Sequence, residues 1–322
     1  MNTFTFFVFI GEFGYEILSS HGWLRLLKSK LPDFKIGVAS RGGVEFLYED
    51  CCDKYVDITD ILSKYTSNMF GVNISEDDKA HIHKRCSRAC KGYKLNIVYS
   101  NQAYRENGIA YGYARAAVRS TNHLKMQKFK LFTLSKYKKE KEYILKKFPE
   151  LSNRKYVVLH DRRRDNYSWG RTSIDKKIWK EIIARLASSG YLVVLVGYKP
   201  YKYRDSYSIF YKDEFKNMPG TINISDFLNA NIEDNILYQA IVLQNANFFL
   251  GVWGSIGYLP PLLGVDSYMV TLQRRAFSVL KGDADLWNKF LSVGKGRIYC
   301  LETTTEKGSI ISTLEKVNIL KK

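Results

Sequence analysis

The chain has 322 residues, enough for two domains of ordinary size, and its 45% hydrophobic and 25% charged residues are typical of a globular protein. No apolar run reaches the ~18–20 residues of a membrane-spanning helix, and five cysteines without a pairing pattern argue against a disulfide framework. The formal net charge of +18 predicts an anionic partner. We therefore expect a reduced, cytoplasmic protein whose basic surface allows peripheral contact with a membrane.

The first half of the chain begins with a strand, a glycine loop and a helix. Thr5–Ile10 predicts the strand, Gly11–Glu16 the loop, and apolar residues at helical spacing from Ile17 to Leu27 the helix. This order is typical of the opening βα unit of a nucleotide-binding fold. The remaining expectations for this half are strands at Lys35–Ala39 and Leu95–Tyr99, a short helix from Val44, irregular chain over 49–80, and a basic helix over Leu124–Lys147.

The second half alternates strands and helices more regularly, which predicts a parallel sheet. The expected strands are Tyr156–Leu159, Tyr191–Gly197, Thr221–Ile224, a run from Asn247, Ser267–Leu272 and Arg297–Leu301. The expected helices are Ile174–Ser188, Glu233–Gln244 and Ile310–Leu320, the last of which we expect to pack back across the interdomain region.

The strand at Tyr156–Leu159 runs directly into His160, Asp161 and the three arginines Arg162–Arg164. In α/β sheets, ligands bind outside the carboxyl ends of the strands, and the guanidinium fork of arginine suits phosphate. The sequence therefore predicts an anion-binding strand end. The alternative is a solvated basic turn.

Three short motifs, in this order, resemble those of fucosyltransferase-like GT-B glycosyltransferases, a superfamily that includes protein O-fucosyltransferases and bacterial and viral glycan transferases. They are Gly11–Glu16, His160–Asp165, and Gly251–Ser255 with Gly264 after it. The resemblance implies an α/β GT-B fold in which two Rossmann-like domains face a central cleft. Residues 1–150 would then bind the acceptor and residues 151–322 the nucleotide sugar, in the cytoplasm of a bacterial or virus-infected cell.

The same resemblance implies an inverting, metal-independent glycosyltransferase with no cofactor besides a GDP- or UDP-linked sugar as co-substrate. Its catalytic base would be Glu12, with Glu16 and His21 as alternatives, although Glu16 at a helix start is better explained as a favourable N-terminal charge. His160 is expected to orient the arginine cluster. The donor-binding residues would be His160, Arg162, Arg163, Arg171, Gly254 and Ser255, and the acceptor-binding residues Gly11, Gly14 and Tyr15.

Residues 81–147 carry 17 lysines and arginines against three acids, a net charge of +14. The acceptor could accordingly be a glycan, a lipid-linked glycan or a hydroxylated DNA base, and the same segment could contact an anionic membrane surface. Two further alternatives are a phage-type DNA glycosyltransferase and a non-enzymatic nucleic-acid-binding protein with a transferase-like fold. His81, His83, Cys86 and Cys90 could ligate zinc, but they lack the usual paired spacing, so we predict no metal.

Overall fold

The computed structural model forms two compact units, Met1–Lys130 and Leu131–Lys322. The residues that it describes are 3–11, 13–65, 73–100, 104–106, 109–111, 128–164, 174–197, 206–231, 235–271, 281–282, 284–285, 287–289, 296–303 and 307–320. The division falls before the predicted boundary at residue 150. Residues following Lys130 pack instead on the second unit, where Tyr143 and Phe148 contact the ring of Phe227.

The first unit contains a four-stranded sheet with the order β3-β2-β1-β4, and each neighbouring pair is parallel, as predicted. Its strands are β1 (Thr3–Val8), β2 (Lys35–Ser40), β3 (Lys54–Asp57) and β4 (Lys94–Tyr99), followed by the antiparallel pair β5 (Tyr104–Glu106) and β6 (Ile109–Tyr111). Its helices are α1 (Phe13–Tyr15), a π-helical turn (Glu16–Ser20), α2 (His21–Lys30), a 3-10 turn (Glu45–Leu47), α3 (Thr59–Leu62) and α4 (Glu76–Ala89).

The expectation of irregular chain over 49–80 is wrong, because β3, α3 and the start of α4 lie there. The missed signal for α4 is its amino-terminal cap. Ser75 Oγ accepts a hydrogen bond from the backbone N of Asp78 at 3.2 Å, and acidic residues fill the first turn. Such caps and charges stabilise a helix start even where the apolar periodicity is weak.

The second unit contains a six-stranded sheet in which every neighbouring pair is parallel. Its strands, with the short antiparallel pair β8 and β10 beside them, are β7 (Tyr156–His160), β8 (Arg163–Arg164), β9 (Leu192–Val196), β10 (Ser206–Tyr207), β11 (Thr221–Asn223), β12 (Phe249–Val252), β13 (Ser267–Thr271) and β14 (Ile298–Glu302). The order across the sheet is β11-β9-β7-β12-β13-β14. Counted along the chain, this is the 3-2-1-4-5-6 order of a doubly wound, Rossmann-like sheet.

Helices cover this sheet and supply its core. They are α5 (Lys138–Lys147), α6 (Glu150–Asn153), α7 (Lys176–Ser188), α8 (Ser225–Ala230), α9 (Asn235–Gln244), α10 (Leu259–Leu262) and α11 (Lys307–Lys316), with 3-10 turns at Ile209–Tyr211, Asp213–Phe215 and Ser255–Tyr258. Asp175 caps α7, and the apolar stripe of α7 packs on β7 and β9. Ile310, Ile311 and Leu314 of α11 belong to this same core. The expectation that the last helix packs back across the interdomain region stays a prediction.

The predicted helix over Leu124–Lys147 is wrong for its described part before Lys138. Residues 128–137 are not helical. Some of their backbone N–H groups bond to other segments and several of their apolar side chains are buried by tertiary packing, which fixes a non-helical conformation. Lys128 N donates to Gly22 O at 2.8 Å and Phe132 N to Leu262 O at 2.7 Å, while Phe129 and Phe132 are buried. In the part of the chain described above, no helix has the length and apolar composition needed to cross a membrane.

Candidate functional site

The carboxyl ends of β7 and β12 lie side by side in the second unit, where His160 pairs in register with Gly251. They are the first and fourth strands along the chain, and the strand order reverses between them. Doubly wound sheets bind ligands in the crevice outside the carboxyl ends at this reversal. The described residues of two predicted motifs, His160–Asp165 and Gly251–Ser255, therefore lie at the edge of the sheet where a ligand is expected.

Directly after β7, the fully buried Asp161 fixes the course of the chain. Its Oδ1 accepts a hydrogen bond from Trp179 Nε1 at 2.9 Å, and its Oδ2 accepts one from Ile209 N at 3.4 Å and one from Arg163 Nε at 3.3 Å. Arg163 Nη2 also donates to Ile174 O at 3.0 Å. Burial raises the pKa of Asp161, and the charge of Arg163 is the largest opposing influence. Arg163 thus uses two of its five guanidinium N–H groups in bonds within the protein.

Arg162 is in a different position from its neighbour. A Cβ atom added to Gly254 would lie 3.0 Å from Arg162 Cδ and 3.2 Å from its Nη1, so the arginine side chain lies across this glycine. A side chain at position 254 would require the arginine to shift by a few tenths of an ångström. Among the residues that the structure describes, no carboxylate or carbonyl pairs with the Arg162 guanidinium, which is half-buried. Arg162 therefore brings to the ends of β7 and β12 a positive charge that no described carboxylate neutralises.

His160 is buried, with 2% of its surface exposed, and its ring stacks on Phe249 with centroids 6.2 Å apart. Its two predicted roles, orienting the arginine cluster and binding the donor, both stay predictions. Ser255 begins the 3-10 turn that follows β12. The side chains of Ser255 and Tyr15, and the whole of Glu12 and Arg171, lie outside the described residues.

In the first unit, the Gly11 loop follows β1 at the corresponding reversal of strand order. β1 and β4 are neighbours, and the loop is tied to the end of β4 by Ile10 N donating to Ser100 Oγ at 3.1 Å. Ser100 N donates in turn to Val8 O at 2.8 Å. Gly11 and Gly14 are both buried. The predicted acceptor-side loop thus leaves the sheet at the edge where Rossmann-like units bind ligands.

Glu16 lies in the first turn of the π-helical segment, where a helix-terminal charge is expected, and its side chain is completely buried. Its Oε1 accepts hydrogen bonds from Ser40 Oγ at 2.6 Å and Tyr48 Oη at 2.8 Å. Its Oε2 pairs with Arg41 Nε at 3.3 Å. Burial raises the pKa of Glu16, and the charge of Arg41 opposes this rise. Glu16 is therefore the buried partner of an arginine that follows β2.

His21 is also fully buried, and its Nδ1 lies 3.1 Å from Arg25 Nη1. Burial and then the charge of Arg25 hold the pKa of His21 well below its usual range. Arg25 itself pairs with Asp50 at 2.8 Å. These contacts make His21 a neutral core residue and argue against its interpretation as an alternative base.

The four residues considered as a zinc cluster lie on two sides of α4 and at its end. His81 and His83 are exposed, whereas Cys86 and Cys90 are buried in the core of the first unit. Within the described ranges, no three His, Cys, Asp or Glu side chains are grouped closely enough to hold a metal ion.

The chain has the parallel sheets of an α/β fold, and the two solved structures below identify that fold as GT-B, as predicted. Among solved structures, the chain is similar to a glycosyl transferase family 9 protein from Veillonella parvula DSM 2008, with 9% identity, a TM-score of 0.52, and coverage of 99% of this chain and 90% of that one. It is also similar to E. coli ADP-heptose lps heptosyltransferase II, with 13% identity, a TM-score of 0.54 and 98% of both chains covered.

At these identities the similarity establishes the fold alone, and the finer resemblance to fucosyltransferase-like enzymes stays a prediction. No family model matches the sequence, and no curated protein sequence does.

Proposed function

We propose that this chain is an inverting glycosyltransferase that moves a sugar from a nucleotide-sugar donor to an acceptor hydroxyl without an obligatory metal. The acceptor oxygen bonds to the anomeric carbon as the bond from that carbon to the diphosphate oxygen breaks. The leaving nucleoside diphosphate keeps the electron pair. The hydroxyl proton passes to a carboxylate, for which we propose Glu12.

The observation that carries this proposal is the Arg162 side chain lying across Gly254 at the strand-order reversal of the second unit. A departing diphosphate gains negative charge, and a preorganised guanidinium stabilises that charge without having to reorganise. Asp161 and Arg163 hold the chain on both sides of Arg162. Arg162 is therefore the main diphosphate ligand in this proposal, and Arg163 contributes mainly by fixing the strand end.

The remaining donor contacts are proposed from the sequence motifs. Backbone N–H groups of Gly254 and Ser255 would bind the same diphosphate, since the chain turns there after β12. Arg171 would add a further phosphate ligand. His160, the last residue of β7, would orient the arginine cluster that follows it. Gly11, Gly14 and Tyr15 would contact the acceptor near Glu12.

A thermal-shift screen with GDP-, UDP-, ADP- and CMP-linked sugars tests the donor class. The GDP- and UDP-sugars are included because the sequence motifs resemble those of enzymes that use such donors. ADP-linked sugars are included because the E. coli structural neighbour is named as an ADP-heptose transferase. We expect one nucleotide to raise the unfolding midpoint, because a ligand at a hundredfold excess over its Kd stabilises the native state by about 2.7 kcal/mol. If no nucleotide sugar shifts the midpoint, the proposed donor site is wrong.

Glu12→Gln separates the base from the donor site. Loss of a general base slows transfer by about 10²–10⁴-fold, whereas donor binding in the thermal-shift assay should be unchanged. Full turnover by Glu12→Gln would show that another group takes the proton. A wild-type protein that binds nucleic acid with steep salt dependence, but neither binds nor turns over any nucleotide sugar, would favour the non-enzymatic alternative.

For the acceptor, we propose an anionic polymer or surface, because α5 carries five exposed lysines against two glutamates in the described part of the basic segment. The lysines of α5 are Lys138, Lys139, Lys141, Lys146 and Lys147. A hydroxylated DNA base, an acidic glycan and a lipid-linked glycan at a membrane surface all meet this requirement. Transfer assays with each acceptor class, in the presence of the donor found above, distinguish them.

A further inference from the structure

Arg41 follows β2 and contacts three residues of the Gly11 loop and one residue of the chain just before it. Its Nη2 donates a hydrogen bond to Gly11 O, and its Nε pairs with Glu16 Oε2 at 3.3 Å. Its guanidinium carbon lies 6.0 Å from the ring centroid of Phe9 and 5.9 Å from that of Phe13, within the range of cation–π contacts. One side chain therefore contacts residues both before and after position 12.

The guanidinium is itself held in place. Glu16 cannot rotate away, because Ser40 and Tyr48 both donate to its other carboxylate oxygen. The backbone of Arg41 is fixed as well, since Tyr55 Oη donates to Arg41 O. Only 17% of the Arg41 side chain is exposed, and the Glu16 side chain is completely buried. A charged network of this kind, away from solvent, is costly to build, which favours a specific role.

We infer that Arg41, with Glu16 as its buried counterion, is the positioning residue for the catalytic loop that carries Glu12. The inference rests on the proposed function, in which Glu12 is the base. A general base must lie within hydrogen-bond reach of the acceptor hydroxyl, so the turn that bears it has to be held in one conformation. Arg41 acts through that turn and makes no contact with substrate in this account.

Lysine cannot replace Arg41 in this arrangement. The guanidinium reaches Gly11 O and Glu16 at the same time through two nitrogens held in one plane, whereas an ammonium is a single point charge. Arg41→Lys should therefore keep the charge pair with Glu16 and lose the bond to Gly11. Arg25→Lys is the matched control, because Arg25 is a buried arginine of the same unit that pairs with Asp50, outside the loop.

Amide hydrogen exchange tests the positioning without any need for activity. In Arg41→Lys we expect exchange to rise at least tenfold in a peptide covering residues 9–16 and to stay unchanged in β4. In Arg25→Lys, the two segments should change together or not at all. Equal changes in both segments of Arg41→Lys would show a general loss of stability, and unchanged exchange over residues 9–16 would show that Arg41 does not hold the loop. Either result overturns the inference.

Kinetics in two backgrounds test the link to Glu12. Arg41→Lys should lower kcat at least tenfold with less than a twofold change in the donor KM. In the Glu12→Gln background, the same substitution should lower the residual rate less than twofold, since there is no base left to position. An additive tenfold loss in that background would overturn the inference while leaving the proposed function intact. Absence of transfer by the wild type would instead count against the proposed function, and the exchange measurement would still decide the role of Arg41 in holding the loop.

Discussion

Replacing Asp161 by asparagine tests how firmly the strand end after β7 is held. The substitution keeps the size of the side chain and removes its charge. One asparagine oxygen can still accept the bond from Trp179 Nε1. The amide nitrogen would then replace Oδ2, which in the wild type accepts hydrogen bonds from Ile209 N at 3.4 Å and Arg163 Nε at 3.3 Å. Because all three nitrogens are donors, both hydrogen bonds would be lost.

The expected destabilisation is about 3 kcal/mol. Two hydrogen bonds to a charged group are lost, each of which contributes about 1.5–3 kcal/mol, and their long distances place them at the lower end of that range. Leaving a buried charge unpaired costs about 3–5 kcal/mol, but Arg163 keeps its bond to Ile174 O and 27% of its side chain is exposed, so this larger figure does not apply. For a unit of this size, 3 kcal/mol lowers the unfolding midpoint by about 6–12 °C.

Urea unfolding of Asp161→Asn, followed by circular dichroism and compared with the wild type, measures this difference. Asp213→Asn is the control in the same unit, because its pair with Lys216 leaves the aspartate side chain 94% exposed. That control should change stability by less than about 0.5 kcal/mol. A change in Asp161→Asn of the same size as the control would refute the reasoning that this carboxylate fixes the strand end.

Two further predictions concern charge. Burial would raise the pKa of Asp50, but the hydrogen bonds and charges of Arg25 and Lys130 outweigh it and lower the pKa to about 2 from 3.8. Because the folded-state pKa is lowered, Asp50 stabilises the fold above about pH 4 and loses this effect as the pH falls towards 2. With 29% of its side chain exposed, Asp50→Asn should cost about 1–2 kcal/mol at pH 7. The difference from the wild type should shrink below pH 4 in urea titrations, and a pH-independent difference would contradict this assignment. The second prediction applies if α5 contacts nucleic acid, and it replaces Lys138, Lys139 and Lys141 of this helix by glutamine. In anisotropy measurements with a short duplex, the slope of log affinity against log salt concentration should fall by up to about 0.9 per lysine. An unchanged slope would exclude α5 from that contact.

The strands of the second unit could be predicted because a parallel sheet is covered on both faces. Runs such as Tyr156–His160 and Leu192–Val196 are buried at every position, so their apolar character is continuous and easily recognised. Helix α7 was predictable for a similar reason, since one apolar stripe follows its cap. The position of the arginine cluster at a strand end follows from the same pattern.

The separate positions of Arg162 and Arg163 could not be read from the sequence. The two residues are identical and adjacent. The bonds of Arg163 to Asp161 and Ile174, and the contact of Arg162 with Gly254, distinguish them. The buried partner of Glu16 could not be predicted for a comparable reason. Its place in a helix suggested a terminal charge, but its partner Arg41 comes from the end of a neighbouring strand. Contacts between segments far apart in the chain leave no local pattern.

The same limit explains the error before α5. Residues 128–137 include helix-forming lysines and leucines, yet their backbone bonds to Gly22 and Leu262 hold them in another conformation. Tertiary contacts routinely override helix propensity, which differs by less than about 1 kcal/mol between ordinary residues.

Calorimetric titration of nucleoside diphosphates into Arg162→Gln tests the central claim most directly. Arg154→Gln is the matched control, because Arg154 is exposed and precedes the same strand at its amino end, away from the proposed site. A hydrogen bond to a charged group contributes about 1.5–3 kcal/mol, so Arg162→Gln should weaken binding of the preferred nucleotide by about 10–150-fold, and the control should bind as the wild type does. Equal affinity in Arg162→Gln and the wild type would contradict the claim that this guanidinium binds the diphosphate.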